Sequence, residues 1–336
     1  MMLVVSGSAN SWVQDKLINN HGGLYGRLTS KIKLRPFTLH ECEQFYRMKR
    51  VKMSRYDIVQ SYMILGGIPY YMNFFQPNLS LTQNIDRLFF ANPAQLHGEY
   101  DQLFQSVFSD PDLMKCIVEL LATRHSGFTR PEILAHIGKD DSGSLSEKLK
   151  ALIESDFVEK YVPFGDSQRN VHYKLIDPFC WFYLHFIRGQ KQTDTDFWTH
   201  NANAQSIVSW RGIAFEEVCL QHIGAIKRSL GIEGVISTQS AWTLRGDENV
   251  DGTQIDLLIC RQDNVVNMCE MKYYSDEFIV TKDYDRQLAR REILLTEQLS
   301  RKMVIHRTLV TTYGLRYNEY SGAFQSVVTL EDLFAE

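Results

Sequence analysis

The chain has 336 residues, 44% of them hydrophobic and 23% charged, with a formal net charge of −4 at pH 7. This length exceeds one ordinary core and predicts two or three domains, while the charge balance excludes a global basic field that would draw nucleic acid to the whole surface. No apolar run reaches membrane-spanning length, no N-terminal stretch reads as a signal peptide, and the cysteines form no CxxC pair. Together these features exclude a membrane protein and a disulfide scaffold, and predict buried thiols in a reducing cytoplasm.

In chain order, Leu3-Val4-Val5-Ser6-Gly7 reads as a buried strand and Ser8–Trp12 as a helix entry. Gly22-Gly23-Leu24-Tyr25-Gly26-Arg27 follows, then Leu34-Arg35-Pro36 with Glu41, and later the turn Gly66-Gly67-Ile68-Pro69. These residues resemble the end of the ATPase core in a family of prokaryotic AAA+-type ATPases. Members of that family continue into a winged helix and a nuclease-like C-terminal domain. The resemblance implies a sensor position near Ser8 and a nucleotide-facing role for Arg27, whose plainer reading is a turn charge. No GxxxxGK[ST] loop is present and the acidic strand that would hold Mg²⁺ is missing, so no phosphate cradle is expected. The chain is therefore expected to be the C-terminal part of such a protein. It should not hydrolyse ATP alone, should bind ATP only with the missing N-terminal half, and should associate with an ATPase half or with itself.

Residues 1–37 are expected to be a remnant of the ATPase core and residues 38–105 a small helical lid. Thr38 with Glu41 forms a capping box for a helix reaching about Tyr46. A second helix runs from about Ser54 to Leu65 and stops at Gly66-Gly67, and Asn84–Phe90 suggests a third.

Residues 106–190 have the rhythm of a winged helix-turn-helix. A helix covers Pro111–Thr123, Thr129 caps a second with Pro131 in its first turn, and a third spans Ser142–Ile153. Two strands, Val158–Val162 and Val171–Leu175, flank a polar wing from Gly165 to Asn170. In a DNA-binding version of this module, Ser144, Lys148, Lys150, Lys160 and Arg169 would meet phosphates or bases. The neighbouring acids Asp140, Asp141, Glu147 and Glu154 keep a protein–protein joint open as the alternative.

Residues 191–336 return to α/β. A predicted helix over Ile213–Lys227 carries Glu216 inside its apolar stripe, with Glu217 near the edge. Asp256 lies in the apolar run Gln254–Ile259, and Glu270 and Lys272 end the run Val265–Lys272 on one face of a strand. Glu216, Asp256 and the Glu270-Met271-Lys272 triplet, with Gln287 on the next helix, resemble the PD-(D/E)XK nuclease superfamily. That resemblance implies Mg²⁺ held by Glu216, Asp256 and Glu270, water positioned by Lys272, and a supporting role for Gln287. Arg290 and Arg291 on the same helix would guide a phosphate backbone. The rival reading is a nuclease-like fold turned into a non-catalytic binding or assembly module. The fold class expected for the whole chain is multidomain α/β: core remnant and lid, winged helix-turn-helix, and a restriction-endonuclease-like domain.

Overall fold

The computed structural model describes residues 29–30, 32–138, 142–189, 194–244, 246 and 252–336. Ser8 and Arg27, and with them nearly all of the expected core remnant, lie outside the described residues. Helices α1 (Leu39–Met48), α2 (Arg55–Leu65), α3 (Pro69–Met72) and α4 (Leu81–Ile85) come first, the last running into a π-turn over Asp86–Phe90. Then come α5 (Glu99–Val107), α6 (Pro111–Ala122), β1 (Phe128–Thr129), α7 (Arg130–Ile137), α8 (Ser142–Glu154), β2 (Val158–Tyr161), β3 (His172–Leu175), α9 (Pro178–Phe186) and α10 (Phe197–Asn201). The C-terminal part holds α11 (Gln205–Gln221), α12 (Ile223–Ser229), β4 (Ser237–Leu244), β5 (Thr253–Arg261), β6 (Val265–Lys272), α13 (Lys282–Thr296), β7 (Val304–Thr311), β8 (Ser326–Val328) and α14 (Leu330–Leu333). Among the described residues, no helix is long and apolar enough to cross a membrane.

The chain is mixed α/β and divides into two compact units. Among the described residues, one gathers those of Thr82–Lys160 and Val171–His200 with 29–30 and 32–36; the other gathers those of Phe37–Leu81, Tyr161–Asn170 and Asn201–Glu336. The segment 38–105 is thus not one lid. It parts near Thr82, because α2 packs on α11, far away in sequence, and that pairing carries the first three helices into the second unit.

In the first unit the local chemistry sets the helix starts. Asp110 caps α6 ahead of Pro111, and Thr129 with Glu132 forms a reciprocal capping box on α7, which ends at Gly138 in the left-handed region (φ 63°). A small sheet of order β1-β3-β2 follows, with Phe128 opposite Tyr173 in antiparallel pairing. Its core is aromatic: Phe182 sets its ring edge against Phe89 and Trp198, and Tyr100 stacks on Tyr183.

The second unit is built on a five-stranded sheet of order β4-β5-β6-β7-β8. The β4–β5–β6 half is antiparallel and the β6–β7–β8 half parallel. One face packs around Trp242, Ile255, Leu258, Val266, Met268, Leu288 and Leu309, and α11 lies against β6. The Gly66-Gly67 turn has a steric cause. Both residues have positive φ, and a Cβ on Gly67 would stand 2.4 Å from the Phe37 carbonyl oxygen. The strand read over 158–162 and the wing after it divide as well: residues 161–170 belong to this second unit, where Phe164 N–H donates to the Ala241 carbonyl at 2.8 Å.

The helix expected over Ile213–Lys227 is interrupted at His222. Its Nδ1–H donates to the Val218 carbonyl (2.8 Å), and Nε2 accepts from the Leu39 N–H (3.0 Å), one of the orphan donors at the start of α1. Burial holds this imidazole below its ordinary pKa. The unfolded chain therefore takes up a proton near pH 6.5 that the folded chain refuses, so stability rises with pH through that region and reaches its full value above it. We expect the urea midpoint to rise between pH 5 and pH 7.5, and a His222→Gln variant to lose that slope. An unchanged slope in the variant would remove His222 as its source.

Candidate functional site

The sheet brings the predicted acids together. Leu257 pairs with Cys269 at the end of the β5–β6 ladder, and Asp256 and Glu270 are the next residues beyond that pair on their strands. Glu270 and Lys272 share a face as their spacing requires, with Lys272 Nζ 3.6 Å from Glu270 Oε2. Glu216, on α11, is the foremost of the charges acting on Asp256, followed by Glu270. Burial and these two carboxylates push Asp256 up to about 7, against the pull of Lys272 and Arg291.

The buried acid of α11 differs from the expected one. Glu217 is 8% exposed, whereas Glu216 is half-buried. The helix is covered on two sides, by α2 and by β6, so its buried arc is wider than a single stripe allows. Glu217 Oε1 accepts from Gln221 (3.5 Å), whose Oε1 in turn accepts from the Tyr62 hydroxyl (3.2 Å).

Glu270 is the deepest member of the cluster at 1% exposure, and α13 supplies its partners. Tyr284 Oη donates to Oε2 at 2.8 Å and Arg291 Nη1 to Oε1 at 2.6 Å. Tyr284, Leu288 and Arg291 recur at i, i+4 and i+7 and so form the inward stripe of this helix. Arg291, expected from the sequence to meet a phosphate backbone, is paired here with Glu270. Arg290 is exposed. Gln287, one turn from both Tyr284 and Arg291, is also exposed.

Sequence reasoning missed Tyr284, and it missed Arg291's role. The available signal was an arginine set within an apolar helical stripe, with Glu270 the fully buried strand acid able to neutralise it. Among the described residues, no group of three or more His, Cys, Asp and Glu side chains is placed to hold a metal ion. With both Glu270 oxygens already engaged, the residues in this arrangement do not fit Mg²⁺.

The residues read as nucleic-acid contacts are divided between the two units. Lys148 pairs with Asp110 at 3.3 Å and Lys150 with Glu154 at 3.8 Å. Ser144 is half-buried on α8 and Lys160 is exposed on β2, both in the first unit. Arg169, on the would-be wing, is exposed in the second unit.

No family model matches the chain. It is similar to the uncharacterized protein MJECL04 of Methanocaldococcus jannaschii, with 29% identity over 187 residues, covering 55% of this chain and 40% of that protein. It is also similar in structure to the Walker-type ATPase PABY2304 of Pyrococcus abyssi, with 20% identity, 51% of this chain and 49% of that chain covered, and a TM-score of 0.36. The chain thus spans less than half the length of the curated relative it matches.

Proposed function

We propose that this chain is the C-terminal portion of an ATPase-family protein, with a winged-helix module and a PD-(D/E)XK-like α/β domain, and that the acid–lysine cluster of that domain serves binding and assembly, not phosphodiester hydrolysis. The observation that carries the last step is the state of Glu270. A carboxylate meant for a metal needs an open oxygen, and this one is enclosed with an arginine on one oxygen and a tyrosine on the other. The element order helix, strand, helix, helix, strand, strand with its β1-β3-β2 sheet supports the winged-helix part. The ATPase-family part rests on the sequence resemblance, and the partners it implies are an ATPase half or a second copy.

One observation favours a second reading, a Mg²⁺-dependent nuclease using Glu216, Asp256, Glu270 and Lys272. Burial, and then the charges of Glu216 and Glu270, raise the proton affinity of Asp256, and a bound cation would relieve that repulsion.

Calorimetric titration of Mg²⁺ and Mn²⁺ into the full chain separates the two readings, with cleavage of single- and double-stranded DNA followed in the same samples. The binding-module reading expects neither a saturable heat of metal binding nor cleavage. Metal binding accompanied by cleavage, both abolished in Asp256→Asn and Glu216→Gln, would replace it with the nuclease.

A further inference from the structure

The turn between α1 and α2 concentrates positive charge at a strained position. Val51 N–H donates to the Tyr46 carbonyl (2.9 Å) and Arg50 N–H to the Arg47 carbonyl (3.0 Å), which is the double closure of a Schellman turn. Arg50 occupies its left-handed position (φ 60°), where glycine is favoured because it carries no Cβ. The side chain kept there despite the strain is a cation. Arg47, Lys49, Arg50, Lys52 and Arg55 crowd into one short stretch of a chain whose net charge is −4.

Arg55 is used internally, on Glu43 at 3.0 Å and on Glu331, and Lys49 lies over the Phe45 ring at 5.8 Å. Arg47 is 77% exposed and reaches Glu43 only at 3.7 Å. Arg50 and Lys52 are exposed and, with Arg47, line a groove of about 710 Å³. The two acids of that groove are already engaged: Glu43 by Arg55, and Asp57 in the capping box with Ser54.

The same stretch leads directly into an aromatic stack. Tyr56 lies nearly parallel to Tyr273 (ring centroids 4.7 Å apart, 14° between planes) and to Tyr313 (5.9 Å, 18°), and the Tyr273 hydroxyl donates to the Tyr56 carbonyl at 3.2 Å. Tyr273 follows the end of β6 and Tyr313 lies just beyond the end of β7. These are the carboxyl ends of parallel strands, where open α/β sheets bind ligands. Tyr313 is 49% exposed, so the stack ends in a ring open to solvent.

We propose that this surface binds single-stranded nucleic acid, with phosphates over Arg47, Arg50 and Lys52 and a base stacked on Tyr313. Asp57 both lines the groove and acts on Tyr313, and cations joined in this way to flat aromatic faces are the combination that single strands use. A duplex keeps its base faces covered, and an acidic peptide has none to stack. The inference is independent of whether the Glu270 cluster binds metal.

Fluorescence anisotropy of the full chain with a labelled twelve-residue oligo-dT tests it, with a twelve-base-pair duplex and oligo-glutamate as competitors. Tyr313→Ala should weaken binding about tenfold or more, the size of one lost base stack. Arg50→Gly should weaken binding severalfold and reduce the salt slope by about 0.7, one phosphate contact on a single strand, while raising Tm because glycine relaxes the left-handed turn. That opposition of binding and stability separates the proposal from a structural role, which would raise Tm and leave affinity unchanged. Affinity unmoved by both substitutions would overturn the proposal, as would a duplex or oligo-glutamate that displaces the single strand at equal concentration.

Discussion

Replacing Glu270 with alanine is expected to destabilise the unit built on the five-stranded sheet by about 3–5 kcal/mol at pH 7, the usual cost of removing one member of a buried ion pair. Glu270 is 1% exposed and receives Arg291 at 2.6 Å, Tyr284 at 2.8 Å and Lys272 at 3.6 Å. Alanine leaves a guanidinium and a phenol facing a cavity with no acceptor. It also removes one of the two carboxylates that push Asp256 upward, which offsets part of the loss and favours the lower end of the range. Glu270→Gln retains one acceptor oxygen and is expected to cost about 1–2 kcal/mol, the scale of a lost charge-assisted hydrogen bond. Urea denaturation followed by far-ultraviolet circular dichroism reads both values. A loss below about 1 kcal/mol for alanine would mean that the arginine contact is a loose surface pair, and it would reopen Glu270 to a metal. The same arithmetic makes Glu270→Ala a poor probe of cleavage, since lost activity would follow from lost folding. Asp256→Asn and Glu216→Gln remove charge while retaining polar side chains of similar size.

The sequence disclosed what is decided within a few residues. The capping box at Thr38–Glu41, the cap at Thr129, the proline in the first turn of α7 and the glycine stop at Gly66-Gly67 all stand where local chemistry puts them. The β5 and β6 runs were visible as apolar segments, and the alternation of β6 placed Glu270 beside Lys272. What escaped was set by distant partners. β4 was not foreseen, because an edge strand reading Ser237-Thr238-Gln239-Ser240 carries little hydrophobic alternation and acquires its identity by pairing with β5. The start of α11 at Gln205 lies upstream of the helix expected from Ile213, and its end at His222 depends on a contact with Leu39. The choice between Glu216 and Glu217 turned on how many neighbours cover α11, which a single helical wheel does not contain. For Arg291, composition suggested phosphate, and only the fold brings Glu270 within reach.

The other large effect is expected at Asp86, a carboxylate 4% exposed in the π-turn that follows α4. Its Oδ1 accepts from Trp198 N–H at 2.7 Å, and its Oδ2 from Thr199 N–H at 3.0 Å and the Thr199 hydroxyl at 2.5 Å. One side chain thus satisfies the first-turn donors of α10, more than a hundred residues away, and does for that helix what a cap normally does from the preceding residue. Asp86→Ala strands the Trp198 N–H in an aromatic core and removes the part-buried bonds from Thr199, and is expected to cost about 2–3 kcal/mol, since an unsatisfied buried donor costs about 1–3 kcal/mol. Burial pushes the Asp86 carboxyl above its ordinary pKa despite the three donors that pull it down. The folded chain therefore holds this proton more tightly than the unfolded one. The associated stability is complete below pH 3.8, the unperturbed value, and declines as pH rises through the folded pKa. It follows that the deficit of Asp86→Ala relative to the parent should be larger at pH 4 than at pH 7, with Asp86→Asn intermediate at both. Equal deficits at the two pH values would show that the carboxylate is ionised in the folded and unfolded chains alike, leaving the hydrogen bonds to account for the whole effect.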